Sequence, residues 1–64
     1  MIENLENGWY HARTNVTKDG YIIVLKGDDV VMTIRCDDLE GGEFIAKQNA
    51  SRYTPQEFIE LNND

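Results

Sequence analysis

Cysteine, proline, histidine and tryptophan each occur once in this chain, and basic residues are few. Each scarcity excludes something. A single cysteine, Cys36, rules out an internal disulfide. With one histidine besides, His11, a zinc site would have to draw its remaining ligands from carboxylates. The longest apolar run, Tyr21 to Leu25, is far short of the roughly 20 residues a membrane helix needs, so no membrane association is expected. The first residues, Met1-Ile2-Glu3-Asn4-Leu5-Glu6, lack the basic and apolar regions of a secretory signal, and the expected location is the cytoplasm. Asn15-Val16-Thr17 and Asn49-Ala50-Ser51 match the glycosylation pattern, and without a secretory signal they read as chance.

Positive charge is also sparse. Lys and Arg number 6 against 12 Asp and Glu, for a formal net charge of −6. Arg13, Lys18, Lys26, Arg35, Lys47 and Arg52 are dispersed along the chain. Phosphate contact needs clustered cations, so direct nucleic-acid binding is not expected. No glycine-rich phosphate loop is present either. Gly41-Gly42 lies between Glu40 and Glu43, and Gly27 precedes Asp28-Asp29. Those carboxylates would repel a phosphate, and no cofactor is expected.

Length sets a further bound. A chain of 64 residues makes one domain, 1–64, with a possible frayed arm at 1–7 and a polar tail at 62–64. At 7.4 kDa it should expose about 4,200 Å² folded against about 10,700 Å² extended. The resulting core is small, and a deep substrate pocket is hard to line with so few residues. The chain is therefore read as non-enzymatic. Oligomerisation or a partner could supply extra stability.

The hydrophobic pattern predicts short strands and one helix. Asn7-Gly8 is a turn signal, followed by a first strand over Trp9–Arg13 that can continue to Val16. Asp19-Gly20 signals a hairpin. Tyr21–Lys26 and Val30–Cys36 are the next strands. A two-residue Gly27-Asp28 turn would set Lys26 opposite Asp29, Leu25 opposite Val30, Ile23 opposite Met32 and Tyr21 opposite Ile34. The other side of this hairpin, with Ile22, Val24 and Val31, is largely apolar too. Either the C-terminal helix or another chain should cover it.

Residues 37–43 read as a loop, with a fourth strand over Phe44–Gln48 and a connection over Asn49–Arg52. Thr54-Pro55-Gln56-Glu57 is a helix start with a capping box, and Tyr53 and Phe58 stand at the positions of a hydrophobic staple. The helix should run from Pro55 to about Leu61. The expected fold is α+β: an antiparallel four-stranded meander with one short C-terminal helix packed on the sheet. A small open barrel is the alternative.

No catalytic constellation stands out. His11 shares a strand face with Trp9 and Arg13 in this reading, without a nucleophile motif. Cys36 ends a strand on the apolar side beside Met32 and Ile34, as a buried thiol would. Asp37, Asp38, Glu40 and Glu43 crowd one segment, but they lack the spacing of a calcium loop, and no metal is expected. With Asp28 and Asp29 they form the candidate partner-binding set. Such groups can simply confer solubility, or guard strand ends against unwanted pairing. They can also stand in for the phosphates of a nucleic acid and dock on a basic protein surface.

The segment Asn7-Gly8-Trp9-Tyr10-His11-Ala12-Arg13 resembles the Gly-Trp-Tyr strand that opens many very small acidic β-rich proteins of phages and prophages. The resemblance implies a phage accessory protein, of the kind that binds and disables a host enzyme or defence complex. It carries no site residues. The expected function is thus a small acidic binding protein, an inhibitor or adaptor of a basic host protein. The alternative is a homodimeric module built on the two-sided apolar hairpin.

Overall fold

The central hairpin organises the molecule. Its strands alternate apolar residues over a pleated surface, and one side of them becomes the core floor. In a computed structural model, which describes residues 3–63, the element order is β1 (Glu3–Asn4), a tight turn (Glu6–Gly8), β2 (Tyr10–Thr17), β3 (Gly20–Gly27), β4 (Val30–Cys36), α1 (Leu39–Arg52) and α2 (Pro55–Asn62). Met1 and Ile2, the start of the expected arm, and Asp64, the last residue of the expected tail, lie outside the described residues.

The strands form one open antiparallel sheet in the order β1-β2-β3-β4. The α+β meander is thus the fold, and the sheet does not close into a barrel. Its fourth strand, however, is Glu3–Asn4, paired with His11 and Tyr10, and not Phe44–Gln48.

Residues 39–52, expected as loop, strand and connection, form the helix α1. Asp38 caps it, its Oδ1 accepting from the Gly41 N–H at 2.7 Å. Two glycines near the start weaken helix propensity by about 1 kcal/mol each. Tertiary packing overrides that penalty. Gly42, Ala46 and Ala50, four residues apart, form a narrow buried stripe that lets α1 lie close on the sheet. A Cβ on Gly42 would overlap the Cys36 sulphur and lie 2.9 Å from Ile23 Cδ1.

The β3–β4 register also differs from expectation. Leu25 pairs with Met32, Ile23 with Ile34 and Tyr21 with Cys36. Lys26 faces Val31, so the expected Lys26–Asp29 pair does not form. The turn residues are Asp28 and Asp29, both left-handed at φ 44° and 67°, the geometry whose twist matches a two-residue hairpin. Gly27 serves another purpose: its missing Cβ would meet Pro55 Cγ at 2.5 Å, so it admits the start of α2. The slip is two residues, and strand side chains alternate with period two, so every residue keeps its expected face.

The core sits between sheet and α1 and holds Trp9, Ile23, Leu25, Met32, Ile34 and Ala50 among others. Trp9 is 1% exposed and packs edge-on against Phe58, with ring centroids 5.7 Å apart. Asn7, at φ 58°, turns the chain before Trp9, and its amide donates to the Ala50 carbonyl at 2.7 Å at the end of α1. The expected capping box of α2 is present. Thr54 N–H donates to Glu57 Oε1 at 2.9 Å, and Glu57 N–H donates to Thr54 Oγ1 at 3.1 Å.

Candidate docking surfaces

Charge is sorted by the fold. The strands β2, β3 and β4 contain no carboxylate, although the chain has 12. They do contain Arg13, Lys26 and Arg35. A register shift between His11 and Arg13 turns Arg13 to the sheet side away from α1, beside Val24. His11 stays on the α1 side, so the two do not share a face as expected. Lys26 and Arg35 alternate with core residues and so also face away from α1.

This helix-free side carries Ile22, Val24 and Val31 as well. The C-terminal helices pack on the opposite side, so among the described residues no element lies over the apolar second side of the hairpin. Its residues are not equally bare: Val24 is buried, Ile22 half-buried and Val31 51% exposed.

The six candidate carboxylates divide into two groups. Asp28 and Asp29 are exposed at the β3–β4 turn. Asp37 and Asp38 are exposed at the other end of β4, and Glu40 and Glu43 follow in α1. The two groups are separated by the length of β4, about 23 Å at roughly 3.3 Å per residue. They do not form one patch. They frame a strand.

Asp38 is engaged in capping α1, and Glu43 is half-buried. Phe44 was expected in a strand and instead projects from α1 at 62% exposure. It lines a surface hollow together with Asp38, Glu40 and Gly41. Sequence reasoning missed this exposed aromatic. The available signal was the four-residue spacing of Gly42, Ala46 and Ala50, which turns Phe44 to solvent.

His11 Nε2 lies 2.8 Å from Thr14 Oγ1 in a hydrogen bond. His11 also lines a crevice with Glu3, Glu43 and Lys47, of about 10 Å³, room for about one water. No group of three or more potential metal ligands is found among the described residues. Cys36 is half-buried and free, its thiol 3.8 Å from the Tyr21 carbonyl oxygen.

β4 is the last strand of the sheet. In an antiparallel ladder, alternate residues point their backbone groups to opposite sides. Val30, Met32, Ile34 and Cys36 use theirs toward β3, as the two-residue turn dictates. The N–H and C=O groups of Val31, Thr33 and Arg35 therefore point outward. Among the described residues, no hydrogen bond from another element reaches them.

Among the described residues, no helix is long and apolar enough to cross a membrane. No protein-family model, curated protein or solved structure matches the chain.

Proposed function

We propose that this is a non-enzymatic binding protein, an inhibitor or adaptor, that docks on a basic surface of another protein. A nucleic-acid-binding protein or a defence complex of a host cell is the kind of target meant. The observation that carries the reading is Phe44, an exposed aromatic set beside Asp38 and Glu40. Interfaces are anchored by such aromatic side chains, with charge at the rim giving orientation and fast encounter. The exclusion of carboxylates from β2–β4 concentrates negative charge at the strand ends and helices, where a basic partner can meet it.

Self-association through the side bearing Ile22, Val24 and Val31 is the other reading. Arg13, Lys26 and Arg35 on that side stand against pairing two copies face to face.

The test is capture of partners from lysate of the source cell, at low and high salt, by the wild-type chain and by two variants. The variants are Asp37→Asn/Asp38→Asn/Glu40→Gln/Glu43→Gln and Phe44→Ala. A partner held at low salt by the wild type, and lost at high salt and in both variants, is the expected result. Equal capture by the fourfold variant sinks the reading.

A further inference from the structure

Among the described residues, three N–H and three C=O groups on the outer edge of β4, at Val31, Thr33 and Arg35, have no hydrogen-bond partner. Such an edge invites another strand, and proteins usually blunt it with proline, lysine or a bulge within the strand. β4, Val-Val-Met-Thr-Ile-Arg-Cys, has no proline or lysine and one charged residue, Arg35 near its C-terminal end, and its pairing with β3 runs without a register shift. Aspartates sit immediately beyond it instead: Asp28-Asp29 before and Asp37-Asp38 after.

These pairs select the occupant. A second copy laid antiparallel over the whole of β4 would centre on Thr33. Asp29 would then face Asp37 of the second copy, and Asp28 would face Asp38. Like charges directly opposite destabilise such pairs, and a net charge of −6 on each chain opposes approach in any register. A strand with cations at both ends meets the reverse situation.

We propose that β4 is a docking edge that takes, as an added strand, an extended segment of a partner protein with alternating apolar residues and basic residues at both ends. The backbone ladder supplies affinity and the terminal charges supply selectivity. Alternate side chains of the added strand would extend the core side, next to Val30 and Ile34, each 9% exposed. This rests on the reading that the protein docks on basic partners, and it names the structure on which the partner sits.

The probe is a synthetic peptide of alternating valine and threonine with two lysines at each end. A control carries glutamates in place of the lysines. Binding is followed by amide chemical shifts and hydrogen exchange on the full chain. The expected result is slowed exchange at the Val31, Thr33 and Arg35 amides, affinity that falls with salt, and binding at least about tenfold weaker for the control. Thr33→Pro removes one outward N–H without touching the β3 ladder and should reduce binding by about tenfold or more. Asp28→Asn/Asp29→Asn/Asp37→Asn/Asp38→Asn leaves the backbone groups in place and should erase the preference for lysine over glutamate. It keeps the test open should the proline variant not fold.

A lysine peptide that binds with its shifts at Phe44, and is indifferent to Thr33→Pro, overturns the edge while the acidic docking reading stands. No binding at millimolar peptide overturns the edge as well, and lysate capture then judges the broader reading separately. A wild-type dimer in sedimentation that Thr33→Pro abolishes would mean that a second copy is the occupant, and also overturns the proposal. So does binding of a DNA or RNA duplex to the same three amides in preference to the peptide.

Discussion

The indole N–H of Trp9 donates to the backbone carbonyl of Tyr53 at 2.8 Å, joining the entry of β2 to the link between the two helices. The same ring packs edge-on against Phe58 of α2. One side chain thus ties sheet, α1 end and α2 together. Trp9→Phe keeps an aromatic ring and leaves the Tyr53 carbonyl without its donor. It should cost about 1–3 kcal/mol. Trp9→Ala should cost about 3–5 kcal/mol, which is comparable to the whole stability of a chain this small. Chemical denaturation monitored by circular dichroism should show Trp9→Phe folded with a lower midpoint and Trp9→Ala largely unfolded.

Gly42 sets the distance between α1 and the sheet. Gly42→Ala should destabilise by about 1–3 kcal/mol despite alanine's better helix propensity, because the added methyl meets Cys36 and Ile23. Glycine to alanine in an open helix position would instead stabilise. A rise in melting temperature for Gly42→Ala would show that α1 does not lie on the sheet as described.

Asn7 has two roles, a left-handed backbone and a cap on the last carbonyls of α1. Asn7→Gly keeps the backbone and loses the cap, at about 1 kcal/mol. Asn7→Ala loses both and should cost about 1 kcal/mol more. The order wild type, glycine, alanine in thermal unfolding is the expected outcome. Equal midpoints for the two variants would remove the backbone argument.

Asp29 occupies a left-handed turn position that favours glycine. Asp29→Gly should raise stability by about 0.5–1 kcal/mol, a melting-temperature increase of about 2–8 °C for a domain of this size. A lower melting temperature would mean that the turn falls elsewhere, as in the register read from Gly27-Asp28.

Much of the fold could be read from local pattern. The strands Tyr21–Lys26 and Val30–Cys36 announce themselves by β-branched and apolar residues, and the capping box at Thr54 and Glu57 marks the start of α2. The assignment of faces survived a wrong register because a slip of two residues preserves side-chain alternation. α1 was not legible in the same way. Gly41-Gly42 and the short apolar pair Phe44-Ile45 look like a turn and a strand, while the reason for Gly42 is Cys36 and Ile23, far away in sequence. Of the candidate site, the carboxylates were visible in the chain. Their division between the two ends of β4 depends on the strand that lies between them, and the exposure of Phe44 depends on the helix.

What the amino-acid sequence determined by itself is the antiparallel run of β2, β3 and β4, the core face of its hairpin, the second helix and the scarcity of positive charge. Each is local in origin: alternation, turn chemistry, capping and composition act over a few residues. Tertiary structure decided the rest. It made 39–52 a helix, because a stripe of small residues fits closely on the sheet. It placed the turn at Asp28-Asp29 and set Gly27 in the strand, where a Cβ would meet Pro55. It left β4 as an edge framed by aspartates, because neither helix supplies hydrogen bonds to the outward groups of Val31, Thr33 and Arg35.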